Sequence, residues 1–363
     1  MNRRTFFQSS AAGALAANAP QPVEAAKWPK PILFKLGCQS GPTDEKRLQF
    51  FKRHSVNHIN GYPAPKGENV KYTLEDLQRL KDLCEKHQVK LEMIAPPYLA
   101  SSHIDKTQRP AIMLGDGANR DRDIAEIQQL IRDCAKVGIP GIKYNMSILG
   151  VVRTDRTPGR GGTELSTWKY SIAKPATPLT RAGEMTADRY WERITYFLER
   201  VIPVANEFKI RMACHPHDPG MPPKGYQGVD TVLGTVDGLK KFISIKESPY
   251  HGLNFCQGTV SEMLENPGKE IFDVIRYFGS RKKIFNVHFR NIRGKRSDFQ
   301  EVFPDEGDVD FVEAIKVYRE VEYPYMLMPD HVPHHHDDPG GHQAFAFCYG
   351  YIRALIQASD RLS

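Results

Sequence analysis

Nowhere does the chain hold the roughly 18 uninterrupted apolar residues that a membrane-spanning helix requires, so no membrane anchor is expected. Cysteine is sparse. The six residues Cys38, Cys84, Cys134, Cys214, Cys256 and Cys348 are scattered over 363 positions without a CxxC pair, which argues against a disulfide scaffold. One or two bridges stay open if the protein is exported. Basic runs and RNA-type aromatic motifs are missing too. The 50 Lys and Arg are interleaved with 43 Asp and Glu, so the net charge of +7 describes a mixed, solvated surface rather than a nucleic-acid footprint. Outside the N-terminus there is no internal repeat and no low-complexity tract. What is present is ordinary for a globular protein, with 40% hydrophobic and 26% charged residues and enough apolar side chains for a sizeable core.

The N-terminus reads as an export signal. Asn2-Arg3-Arg4-Thr5-Phe6-Phe7-Gln8 pairs two arginines with two aromatics, and a weakly apolar, Ala-rich stretch follows. Ala17-Asn18-Ala19 offers a cleavage site, and a second lies nearer Ala25. Residues 1–26 are therefore expected to be a twin-arginine signal and linker that delivers a folded protein to the periplasm. Residues 27–363 are expected to form one catalytic domain.

Within that domain, short β-rich runs alternate with segments of helical periodicity. Strands are expected at 32–37, 58–62, 90–95, 141–146, 210–215, 252–256, 284–290 and 325–329. Helical patterns fall at 74–87, 121–137, 186–206, 269–278, 309–321 and 342–358. Eight strands separated by helices predict an α/β fold, the closed (β/α)₈ TIM barrel, rather than an open sheet. One segment breaks the rhythm. Residues 150–184, rich in Gly, Thr, Arg and Pro, read as a long loop after strand four, placed to lie over the catalytic face.

The C-terminal strand ends of such a barrel converge on one mouth, which brings residues distant in sequence together. Strand five ends in Cys214-His215-Pro216-His217-Asp218-Pro219 and strand six in Asn254-Phe255-Cys256-Gln257-Gly258. Strand seven reads Asn286-Val287-His288-Phe289-Arg290-Asn291, and strand eight Met328-Pro329-Asp330-His331. His215, Cys256, His288 and Asp330 would then present two imidazoles, a thiolate and a carboxylate to one point, a donor set for a divalent transition ion. His334-His335-His336 is read as a solvated loop, because consecutive side chains diverge.

These four phrases, in this order and at these spacings, resemble the signature segments of the mannonate dehydratases. Ala135 to Asn145 (AKVGIPGIKYN), Arg153-Thr154-Asp155 and Asp305-Glu306-Gly307-Asp308-Val309-Asp310 are similar to further segments of that family. The resemblance runs from about Phe34 to Ile356 and is strongest from Ile210 onward. It implies removal of water from a sugar acid, D-mannonate to 2-keto-3-deoxy-D-gluconate, with Mn²⁺ or a similar ion such as Fe²⁺ or Co²⁺. By position it implies His215, Cys256, His288 and Asp330 as metal ligands.

The same chemistry asks for proton transfer and for a grip on the substrate carboxylate. His331 is expected to move a proton and Arg290 to clamp the carboxylate. Asn145, Arg153 and Asp155 are expected near the sugar hydroxyls, with a lid salt bridge an equal alternative for Arg153. Where the family carries a tyrosine after its eighth strand, this chain reads Pro339-Gly340-Gly341-His342, so His342 is expected to replace that hydroxyl. The family's early tryptophan-rich segment appears as Lys35-Leu36-Gly37-Cys38, and its acidic third-strand phrase as Met93-Ile94-Ala95-Pro96-Pro97, which places the departures on the substrate side. The competing readings are a xylose-isomerase-like isomerase or epimerase, whose sites are richer in carboxylates, and an inactive exported sugar-binding barrel. A metal-dependent DNA-repair barrel lacks the basic groove it needs. Self-association into a homo-oligomer stays open.

Overall fold

The computed structural model describes residues 30–64, 71–174, 178–220 and 225–361. The expected twin-arginine segment lies outside them. Eight of the twelve strands close into a parallel barrel: β1 (Lys35–Gln39), β2 (His58–Gly61), β3 (Lys90–Ile94), β4 (Gly141–Asn145), β7 (Arg211–His215), β8 (His251–Cys256), β9 (Ile284–His288) and β12 (Met326–Met328). Their order around the barrel is β1-β12-β9-β8-β7-β4-β3-β2, and every neighbouring pair is parallel. All eight fall on the expected segments. Parallel strands covered on both faces bury every residue, as β4, β7, β8 and β9 do. Inside the barrel, Met93, Ala213, Phe285, Met326 and Met328 pack into a separate apolar plug beneath the mouth.

The helices between the strands follow from caps and apolar stripes. Thr73 and Asp76 form a reciprocal capping box at the start of Leu74–Lys86. Tyr190, Ile194, Phe197, Leu198 and Val201 form the buried stripe of Ala187–Phe208. Among the helices beyond those the periodicity indicated are Glu45–Arg53 and Val236–Ser244, capped by Asp44 and Thr235. Each has nine residues, too few turns to give a clear period. Among the described residues, no helix is long and apolar enough to cross a membrane.

The segment 150–184 is not the irregular loop its composition indicates. It contributes β5 (Asp155–Pro158) and β6 (Glu164–Lys169), an antiparallel pair. β6 in turn pairs with β11 (Asp298–Val302), the return strand of a hairpin begun by β10 (Asn291–Lys295). The result is a four-stranded sheet, in the order β10-β11-β6-β5, built from insertions after two different barrel strands. Phe299 pairs with the fully buried Trp168 at its centre. Gly and Thr in this stretch serve its turns and its polar outer face, which is why the apolar pattern of a strand is weak there.

Candidate metal and active site

His215, Cys256 and His288 close β7, β8 and β9, and Asp330 lies just past β12. One ligand atom from each comes together, all within 4.8 Å of one another. His215 Nδ1–H donates to the Pro216 carbonyl at 2.7 Å, which leaves Nε2 as the free lone pair. Burial, then the charge of Lys143, lowers His215 to about 4, so the ring is neutral as a ligand must be. The Asn254 amide meets His288 Nε2 at 3.2 Å. Nδ1 of His288 is buried 3.3 Å from Asp330 Oδ1.

Burial works against a charge on Cys256, but the Arg290 guanidinium and a hydrogen bond from His288 outweigh it and hold the thiol below its usual range. Burial likewise opposes the Asp330 carboxylate, and His288 and His331 drive it well below the usual range. Two imidazoles, a thiolate-prone cysteine and an ionised carboxylate fit a divalent transition ion.

Beside this group lies a second one, Asp218, Glu301 and His331. Two guanidinium groups run through it. Arg153 pairs with Glu301 and, at 2.6 Å, with Asp218. Arg290 pairs with Glu301, with Asp218 at 3.0 Å, with Glu262 at 2.9 Å and with Asp330 at 3.5 Å. Burial and the neighbouring Asp218 push Glu262 well above the usual carboxylate range. Burial opposes ionisation of Asp218, yet Arg153 and Arg290 lower it to about 2. The cluster is an ion-pair network already filled by cations, so it does not suit a second metal ion.

His331 Nδ1–H donates to Glu301 at 2.8 Å, and Nε2 lies 3.9 Å from Asp330. Burial disfavours the imidazolium, but Asp330 and Glu301 prevail and raise it to about 10. His331 is also the partly open member of the group, with its side chain 36% exposed. It faces a cavity of about 430 Å³ lined by Arg153, Ser166, Glu301, Asp330, His334 and an apolar wall of Val151, Val332 and Phe345. A wider depression of about 750 Å³ between the four-stranded sheet and the helix starting at Pro267 lies away from the ligand group. The smaller cavity is the one with chemistry at its edge.

Several expected roles change here. Arg290 is 3% exposed and bound by carboxylates on all sides, so it holds the network together and is not free to clamp a substrate. Arg153 takes the salt-bridge alternative while still lining the cavity. Asn145 is buried in register with His215 and accepts from Lys143 Nζ at 3.0 Å. Asp155 is exposed on β5 and accepts the backbone N–H of Arg156, outside the site. The structure does not bring His342 to the ligands either. It begins the helix His342–Arg361, and its ring packs on Phe50 at 4.9 Å. Among the described residues, the His334–His336 run joins no ligand group, although His334 lines the cavity. Asp218, Glu262, Glu301 and Lys143 had no role from sequence reasoning. Asp218 and Lys143 did stand inside the phrases that carried the family resemblance.

The family model described as D-mannonate dehydratase (UxuA) matches residues 163–362. The chain is 31% identical over 305 residues to the mannonate dehydratase of Geobacillus thermodenitrificans, covering 74% of this chain and 77% of the relative. It is 29% identical over 307 residues to that of Thermotoga petrophila, covering 74% and 80%. The crystal structure of mannonate dehydratase from Streptococcus suis serotype 2 superposes with a TM-score of 0.76 at 22% identity, over 90% of this chain and 95% of that one. The barrel with its mouth-side ligand group, together with a family match over more than half of the sequence, makes this chain a member of the mannonate dehydratase family, a family of hydro-lyases.

Proposed function

We propose that this protein removes water from D-mannonate, or from a closely related aldonate, to give the corresponding 2-keto-3-deoxy acid. The observation that carries the reading is that the ligand group opens, through Asp330, onto the same cavity as His331. Dehydration takes a proton from C2, expels the C3 hydroxyl as water and leaves an enol that becomes the 2-keto acid. The C2 proton is weakly acidic, because its loss puts a second negative charge on the carboxylate. A divalent ion held by His215, Cys256, His288 and Asp330, Mn²⁺ in our reading with Fe²⁺ or Co²⁺ as alternatives, would supply a Lewis acid for that charge.

His331 carries the proton that the leaving hydroxyl needs. Its Nδ1–H is anchored on Glu301, so the opposite edge of the ring is the one that transfers. Ser166 of the four-stranded sheet, and Arg153 just before it, face the sugar hydroxyls. The test supplies the Mn²⁺-loaded protein with a panel of aldonic acids and follows dehydration and isomer formation together. Formation of a 2-keto-3-deoxy acid from D-mannonate or a relative is expected. Ketose–aldose or epimer interconversion alone would replace this reading with the isomerase one.

We also propose export by the twin-arginine route, on the strength of Arg3-Arg4 and the Ala-rich stretch behind them. Changing both arginines to lysine is expected to strand a full-length, folded protein in the cytoplasm. Unchanged recovery from the periplasm would overturn the assignment.

A further inference from the structure

We propose that Lys143 is the cation that recognises the substrate carboxylate, an inference that rests on the aldonate reading above. Lys143 lies on β4 in register with Ala213 of β7, and Asn145, two residues on, is in register with the ligand His215. Strand alternation puts residues 143 and 145 on one face, shared with Ala213 and His215. That face is the barrel interior, because Ala213 belongs to the apolar plug there. The intervening Tyr144 faces the helices, with its ring 5.5 Å from that of Phe197. Lys143 therefore rises from the plug toward the mouth, where its Nζ donates to Asn145 Oδ1 at 3.0 Å.

The position is unusual for an ammonium. Lys143 is 7% exposed, and among the described residues no carboxylate stands within ion-pair distance of it. Burial lowers Lys143 below the usual ammonium range, the charges of Asp330 and Cys256 oppose that, and its own charge helps to lower His215. A buried cation with one neutral partner is costly, and its cost falls when an anion arrives.

Charge matching then singles it out. The anionic ligands Cys256 and Asp330 would be balanced by a divalent ion. Arg153 and Arg290 are balanced by Asp218 and Glu301, with Glu262 held in its protonated form. The proton on His331 goes to the leaving hydroxyl. Neither set leaves a fixed positive charge for a carboxylate. Lys143 supplies one, from the interior face that it shares with His215.

The test compares D-mannonate with its neutral carboxamide, which differs only in the charge at C1. Binding is measured by calorimetry in a His331→Asn background loaded with Mn²⁺, so that ligand is not consumed. In that background, Lys143→Met is expected to weaken D-mannonate binding by about tenfold or more, in line with the loss of one charge-assisted contact. Carboxamide binding should stay the same, and Lys143→Arg should recover part of the loss. Mn²⁺ affinity should hold or rise in Lys143→Met, since a like charge has been removed from the ion's surroundings. A residue that merely organises the ligands would do the reverse and lose metal.

Equal weakening of both sugar ligands, or weaker Mn²⁺ binding with the mannonate preference intact, would overturn the assignment. Lys143→Gln gives the same comparison if the methionine variant does not fold. If the parent background itself shows no preference for the carboxylate, the aldonate reading fails and this inference fails with it. A preference that survives in Lys143→Met counts against Lys143 alone.

Discussion

Replacing Cys256 by serine should strip the protein of most of its divalent ion, while Cys214→Ser should leave metal content unchanged. The two thiols are buried at the ends of adjacent strands and differ in what surrounds them. Cys256 lies within reach of His288, Asp330 and Arg290, and its thiolate is favoured by Arg290 and by the hydrogen bond from His288. Cys214 pairs across the ladder with Tyr144, on the helix-facing side, and burial pushes it up to about 12. A serine hydroxyl at 256 would not ionise, so the donor set would lose one of its two negative charges. Outer-shell changes alone cost metal sites 10–100-fold, so loss of this inner ligand should cost about a hundredfold or more. Elemental analysis reads the difference directly. Thermal unfolding with excess Mn²⁺ reads it again, because a ligand at 100 times its Kd stabilises the folded state by about 2.7 kcal/mol. Equal metal content in the two variants would remove Cys256 from the ligand set.

His331→Asn should lower turnover by about 10² to 10⁴, the range typical of a lost general acid or base. Asparagine keeps the polarity of the position but cannot donate a proton in the transition state. Metal content should not follow, because Asp330 keeps its own contact with His288. The informative comparison is therefore turnover against bound metal in one preparation. If both fall together, His331 acts by holding Asp330 in place, and the proton must come from elsewhere.

Much of this arrangement was legible before any coordinates. The strands of a parallel barrel are buried on both faces, so they appear as short apolar runs bounded by Gly, Pro or Asp, and all eight were found that way. The ligand group was legible for a topological reason. Closure of the barrel forces the C-terminal strand ends together, so His215, Cys256, His288 and Asp330 needed no further information to be grouped.

What escaped depends on contacts between distant segments. β6 pairs with β11, some 130 residues further along the chain, and neither strand has an apolar pattern strong enough to announce itself. Arg290 reads as a free guanidinium until Asp218, Glu262 and Glu301 are placed around it. Lys143 has no role in the sequence because nothing local shows that β4 is covered on both sides. His342 follows the glycine pair Gly340-Gly341, whose positive backbone angles lead into a helix start that turns the ring toward Phe50.

The four ligands come from β7, β8, β9 and β12, which are consecutive around the barrel. The metal group is thus pinned to one arc of the wall, while β1, β2 and β3 contribute no ligand to it. That division makes the molecule modular in a way its closed barrel conceals. Mutations can accumulate on the first three strands and their loops, changing which sugar acid fits, as long as Gln39 at the end of β1 keeps its hydrogen bond to the ligand Asp330 at 3.4 Å. The departures from the family in Lys35-Leu36-Gly37-Cys38 and Met93-Ile94-Ala95-Pro96-Pro97 fall on that remaining arc, on β1 and at the end of β3. A lineage exploring new aldonates would be expected to diverge there first, with its reaction preserved and its diet altered.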